Sequence, residues 1–113
     1  MGSNYEQFFD IRPKSKERPR SSASGHVYTP KATREFEALI ASMYKGQLYA
    51  NMPVSVSFEF SKEGTHMKIS TLDIPMSTLR GDIDNYCKSF LDAMNGFAYT
   101  DDKQVVHLDL WKR

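Results

Sequence analysis

The sequence predicts an α+β class: a two-layer domain with a small mixed sheet of three to four strands and two helices on one face. Three observations carry that expectation. Residues 53–61 alternate strictly, with Val54, Val56, Phe58 and Phe60 facing one way and Ser55, Ser57 and Glu59 the other, the period of a half-buried strand. Ala32, Phe36, Leu39, Ile40 and Met43 recur instead at helical spacing. So do Ile83, Tyr86, Cys87, Phe90, Leu91 and Met94. Helices this short do not wrap both faces of a sheet, so they are expected to pack on one. A chain of 113 residues is sized for one domain, 1–113, with a single modest core.

Taken in order, residues 5–11 are aromatic-rich and read as a strand, with Tyr5, Phe9 and Ile11 on one side and Phe8 on the other. Residues 12–25 are dense in Pro, Ser and basic residues without hydrophobic period, which makes a loop. A short strand over 26–29 would close it as a long hairpin. Thr29 then N-caps a helix with Pro30 at its first position, and Gly46 ends it. Residues 61–80 are ambiguous: Met67, Ile69 and Thr71 offer a short strand, but Pro75 and polar neighbours argue for a mobile loop. The main helix runs over 83–94, with Asp82 as N-cap and Asn95-Gly96 as a left-handed stop. Residues 105–111 read as the last strand, Val106, Leu108 and Leu110 on one face and His107 and Asp109 on the other. The order is β-(β)-α-β-α-β.

No apolar run approaches the ~20 residues that cross a membrane. The Met-Gly-Ser-Asn start lacks the charged and apolar regions of a signal peptide, so a cytoplasmic location is expected. Cys87, the single cysteine, falls on the apolar stripe and reads as a reduced core residue. His26, His66 and His107 show no zinc spacing. The net charge of +1 hides an asymmetry. Arg12, Lys14, Lys16, Arg18 and Arg20 face only Glu17 between residues 11 and 20. After Thr71 the acids Asp73, Asp82, Asp84, Asp92, Asp101, Asp102 and Asp109 accumulate. A basic loop can hold phosphates and an acidic pocket can hold metal.

The acids admit two readings. In one, Asp82 is a cap, Asp84, Lys88 and Asp92 form a solvated ladder at i, i+4 and i+8, and Asp101-Asp102 is a turn. In the other, one helix start and one strand entrance each present two aspartates to a divalent cation, whose charge offsets their mutual repulsion. Residue types alone favour the first.

The spacing of these residues resembles a known pattern. Asp82-Ile-Asp84-Asn85-x-x-Lys88, then Asp92-Ala-Met-Asn-Gly-Phe, then Asp101-Asp102-Lys-Gln-Val-Val is similar to the core of the RusA family, Holliday-junction resolvases of bacteria and their phages. A weaker likeness continues upstream in Lys16-Glu-Arg18-Pro-Arg20 and Tyr28-Thr-Pro30-Lys31. The resemblance implies a Mg²⁺-dependent crossover junction endodeoxyribonuclease, with Mn²⁺ able to substitute, acting in the bacterial cytoplasm on a DNA four-way junction as a homodimer. It implies catalytic and metal-binding roles for Asp82, Asp84 and Asp102, and an essential phosphate-holding role for Lys88. Asp101 either assists or only shapes the turn, and Asn85 either orients an acid or touches backbone. Lys14, Lys16, Arg18 and Arg20 would grip phosphates, as would Lys112, placed like a family lysine beyond the second acid pair. The chain stops two residues after Trp111, where RusA-like proteins often continue into a further strand, which leaves the sheet edge and part of a subunit contact open. The alternatives are a catalytically inactive DNA-binding or assembly protein of the same fold, or a nuclease acting on flaps or forks. The presence of all four motif acids and Lys88 counts against inactivity.

Overall fold

The computed structural model describes residues 3–16, 20–21 and 23–113, with only the backbone of Arg20 and Ser21. Two units are distinguished, Met1–Asp73 and Ile74–Arg113. The first is built on a three-stranded sheet of order β1-β5-β4, where β1 is Asn4–Phe9, β4 is Val54–Ser61 and β5 is Gly64–Thr71. Both pairings are antiparallel, so the α+β class holds while the expected mixed sheet does not. For β4 and β5 a short connection explains this, since the Ser61↔Gly64 register leaves two residues for the turn, which only an antiparallel pair can use. Gly64 is needed at that corner, because a Cβ there would run into the carbonyl oxygen of Phe9.

The first strand follows its sequence pattern: Tyr5, Gln7 and Phe9 turn inward, Phe9 to only 3% exposure, while Phe8 faces out. The segment over 61–80 is corrected. Its first half is not a mobile loop but the central strand, bonded on both edges from Thr65↔Phe9 to Ser70↔Asn4 on one side and along β4 on the other. Its alternating Thr65, Met67, Ile69 and Thr71 are only weakly apolar, so pairing on two sides rather than hydrophobic period fixes it as strand. The strand over 54–61 forms as expected but is exposed along its length rather than half-buried. It is a sheet edge, and Phe58 stacks on Phe60 with centroids 5.5 Å apart and 15° between planes.

The segment 12–25 is not wholly loop: β2, Arg20–Ser21, pairs with β3, Val27–Tyr28, as a separate two-stranded ribbon, so the hairpin closes locally and not against β1. Helix α1, Lys31–Met43, starts one residue later than expected. Pro30 is its N-cap, with extended ψ of 144°, and its carbonyl accepts the Arg34 N–H at 3.1 Å. Of the expected stripe, Phe36, Ile40 and Met43 are half-buried while Ala32 and Leu39 are exposed; Thr33 is buried instead. The helix end is pinned to β1 by one side chain. Gln7 Nε2 donates to the Met43 carbonyl at 2.7 Å, and its Oε1 accepts from Lys45 N–H at 3.0 Å and from the Tyr5 hydroxyl at 2.7 Å. Tyr5 also meets the Tyr44 ring edge-on at 5.5 Å.

The second unit contains α2, Ile83–Met94, and a 3-10 turn, Asp102–Gln104. The bounds of α2 match the sequence pattern, and Gly96 at φ 84° supplies the left-handed stop. The expected last strand is corrected: residues 105–111 pair with no strand among the described residues. Side chains hold that segment instead. Leu108, Leu110 and Trp111 line an open groove of about 470 Å³ with Ile83, Cys87 and Leu91 of α2. Cys87 is a free, half-buried thiol there. The Ser77 hydroxyl donates to the Arg113 carbonyl at 2.9 Å, and the Arg113 guanidinium lies 4.6 Å from the Trp111 ring centroid.

Gln7→Leu should lower stability by about 1.5–4.5 kcal/mol in urea unfolding, since three bonds of roughly 0.5–1.5 kcal/mol net are lost together. Tyr5→Phe removes one of them and should cost less. Equal stability of Gln7→Leu and the parent would show that the helix end is held by other contacts.

Candidate active site

The motif acids Asp82, Asp84, Asp92, Asp101 and Asp102 all lie in the second unit, in or beside α2 and at the 3-10 turn. Asp82 is the N-cap, with φ −77° and ψ 141°, and its carbonyl accepts the Tyr86 N–H at 3.1 Å. Its carboxylate makes no capping bond. Asp82 thus holds the N-cap position through its backbone, as expected, without a capping bond from its side chain. Asp84 occupies the first turn, where the helix dipole favours an anion. Among the described residues, no ion pair joins Asp84, Lys88 or Asp92, so the solvated ladder is not formed. The Lys88 side chain is exposed. The Asn85 carbonyl accepts the Ser89 hydroxyl at 3.3 Å, an ordinary helical contact.

The residue before Asp82 is fixed from two sides. Gly81 N–H donates to the Tyr86 hydroxyl at 2.9 Å, and Lys112 Nζ donates to the Gly81 carbonyl at 3.0 Å. A side chain at 81 would overlap the Tyr86 ring, with a Cβ 2.7 Å from its nearest atoms. Lys112 is thus brought to the acidic helix start, half-buried, with one of its three donors engaged.

The second pair is organised by a capping box. The Asp101 carboxylate accepts the Lys103 N–H at 2.9 Å, while Gln104 Oε1 accepts the Thr100 and Asp101 N–H groups at 2.7 and 3.0 Å. Asp101 therefore shapes the turn. Its carboxyl is held below the ordinary carboxylate range, first by the Lys103 N–H and next by a hydrogen bond with Asp102. Asp102 is half-buried; its backbone carbonyl accepts the Val105 N–H at 3.0 Å, while its carboxylate takes none of the N–H groups of the capping box. Tyr99 ties this turn to the helix, its hydroxyl donating to the Leu91 carbonyl at 2.6 Å. Desolvation, then the charges of Asp102 and Asp92, push the Tyr99 phenol up.

Asp82, Asp84 and Asp102 are not gathered into one cluster: among the described residues no three His, Cys, Asp or Glu side chains stand close enough to hold a metal ion together. Of the candidate phosphate-gripping residues, all but Lys112 fall in the first unit. Lys14 is exposed, and Lys16 pairs with Glu37 of α1 at 3.1 Å. Arg18 lies outside the described residues, and Arg20 is described only through its backbone pairing with Tyr28. Sequence reasoning took Tyr86 only as part of the apolar stripe and Gln104 only as part of the motif, and it gave Tyr99 no role. Only Gln104 left a readable signal, the Asp-x-x-Gln spacing of a capping box.

A family model described as Endodeoxyribonuclease RusA matches residues 10–113. The chain belongs to the RusA family. It is 31% identical over 118 residues to the uncharacterized protein YqaN of Bacillus subtilis (strain 168), covering 88% of this chain and 80% of that one. No solved structure matches it significantly. RusA membership makes an endodeoxyribonuclease acting on DNA junctions the setting for the acids of α2 and the 3-10 turn. Among the described residues no helix is long and apolar enough to cross a membrane.

The Asp101 cap has a pH signature. A carboxyl whose folded pKa is lowered adds stability in full above its unfolded value of about 3.9, and loses it as pH falls through the folded value. In metal-free buffer, Asp101→Ala should unfold at lower temperature than the parent at pH 7, and the gap should narrow below pH 3. A gap independent of pH would mean that the ionised carboxylate is not the cap.

Proposed function

We propose that the protein is a Mg²⁺-dependent, structure-selective endonuclease that resolves four-way DNA junctions by paired, symmetry-related nicks. The observation that carries this reading is at the start of α2. Two carboxylates, Asp82 and Asp84, and one ammonium, Lys88, stand there without capping bonds or ion pairs among the described residues. Structural roles do not account for them, and their spacing resembles the motif of the nuclease family whose model matches residues 10–113.

The donor set suits a hard cation. Mg²⁺ takes oxygen ligands and is ordinarily anchored by one or two carboxylates, with water and substrate phosphate completing its shell. Asp82 and Asp84 fit that requirement without a third acid, and they would hold the ion; Mn²⁺ would substitute. When bound, such an ion supplies counter-charge to the phosphoryl oxygens and lowers the pKa of its water. The chain does the rest. Lys88, one turn past Asp84, holds the scissile phosphate as a point charge and stabilises the added negative charge of the transition state. The α2 dipole favours the same anion. Asp102 is the third acid of this reading, carried on its own turn. Lys14, Lys16, Arg18, Arg20 and Lys112 grip backbone phosphates and position the duplex without reading sequence.

A four-way junction has near two-fold symmetry, so paired nicks call for a two-fold homodimer. Junctions of this kind arise in DNA recombination and repair, in the bacterial cytoplasm.

The test separates binding from chemistry on a labelled four-way junction, a fork and plain duplex, each with Mg²⁺ or EDTA. Asp84→Asn removes a charge that repels DNA, so junction binding in EDTA should equal or exceed the parent's. Cleavage with Mg²⁺ should fall at least ~10²-fold, comparable to losing one strong transition-state contact. Lys88→Ala should lose cleavage and also weaken binding, and Asp92→Asn should be mild. Parent-like cutting by Asp84→Asn, or greater damage from Asp92→Asn, would place the site elsewhere. Binding without cutting under any metal would leave a DNA-binding protein of this fold, and preferential cutting of the fork would reassign the substrate. Arg18→Ala with Arg20→Ala should weaken all three substrates alike and flatten the salt dependence by roughly one unit per lost phosphate contact.

A further inference from the structure

We infer that Gln104 is a positioning residue for Asp102: its amide carbonyl holds the turn so that Asp102 is kept out of backbone capping and left available to the reaction. This rests on the catalytic reading of Asp102 given above. The N–H groups of Thr100, Asp101 and Lys103 point into the start of the 3-10 turn and need acceptors. Besides the Thr100 hydroxyl, the side chains there that can accept are Asp101, Asp102 and Gln104. Gln104 Oε1 takes two of the donors, at 2.7 and 3.0 Å, and Asp101 Oδ1 takes the third at 2.9 Å. Asp102 is then the one carboxylate of the turn with no backbone donor on its side chain, which meets the Asp101 carboxyl instead.

Without the Gln104 carbonyl, the Thr100 and Asp101 N–H groups lose their acceptor. The nearest replacements are the carboxylates of the same turn, and Asp102 is the one not already engaged by the backbone. A carboxylate drawn into capping is turned away from any other ligand. The backbone at Thr100–Asp101 would also be released, and with it the linkage from Tyr99 to the Leu91 carbonyl of α2 through which the turn is docked. Gln104 thus acts on the chemistry only through the orientation of its neighbour. A glutamate at 104 would preserve the geometry, because Glu accepts the same two donors and is as well suited as Gln to the last position of a capping box. A methionine would match the length of the side chain and accept nothing of comparable strength.

The test compares Gln104→Met, Gln104→Glu and Asp102→Asn in the full chain. Two readouts are taken: single-turnover cleavage of a four-way junction with Mg²⁺, and junction affinity in EDTA. Gln104→Met should lose about 10-fold in cleavage, the scale on which removal of a supporting hydrogen bond is felt. Its junction affinity in EDTA should stay within about 2-fold of the parent, since no phosphate contact is touched. Gln104→Glu should recover cleavage to within about 3-fold, which a merely space-filling role would not produce. Gln104→Met at parent level in cleavage, with Asp102→Asn inactive, overturns the positioning role alone. Equal impairment of the Met and Glu variants overturns it as well, because the acceptor would not be what matters. Parent-like cleavage by Asp102→Asn removes the underlying reading of Asp102, whatever Gln104 does.

Discussion

The requirement that every backbone N–H find an acceptor organises both acidic turns of this protein, and it decides which carboxylates stay free. At the start of α2 the Gly81 N–H is taken by the Tyr86 hydroxyl and the Gly81 carbonyl by Lys112, while the Asp82 side chain is left out of the cap. At the 3-10 turn Gln104 and Asp101 take the donors and Asp102 is left out. The two turns solve one problem in the same way. Neutral or already committed groups satisfy the backbone, and one acid at each turn is spared.

Much of this was legible in sequence because short-range rules govern it. The helix over 83–94, its Asp82 N-cap position and its Gly96 stop follow from spacing within a dozen residues, and the structure reproduces them. The motif acids and Lys88 carried a resemblance to the RusA family, and the family match over residues 10–113 bears out that resemblance. What sequence did not show was settled at long range. The central strand over 64–71 is weakly apolar, and only partners on both sides make it a strand. Residues 105–111 carry a strand-like alternation but find no ladder among the described residues, so periodicity there predicted side-chain facing and not pairing. Gln104 was hidden for another reason. The eye reads Asp101-Asp102 as charge, whereas the structure uses one of the two, with the glutamine, as a hydrogen-bonding scaffold.

The same logic separates Lys112 from the other basic residues. Lys14 and Lys16 lie on a loop of the first unit, and Lys16 already answers to Glu37. Lys112 is anchored on the peptide that precedes Asp82, so its charge stands at the acidic helix start. A cation there reduces the mutual repulsion of neighbouring carboxylates at close range, where screening by salt is least effective.

The strand order of the first unit has a consequence for how the chain comes together. β4 and β5 are joined by a two-residue turn and can zip as a local hairpin, on the microsecond scale of such events. β1 is the first strand made, yet its partner is β5, and the Ser3 N–H meets its acceptor on Thr71 only across 68 residues of chain. At roughly 5–20 residues per second of synthesis, the N-terminal strand leaves the ribosome several seconds before its ladder exists. Through that interval Tyr5, Phe8 and Phe9 have no sheet to join, and the strand is an aromatic segment open to other partners. The last step of assembly in this unit is therefore the capture of its oldest segment.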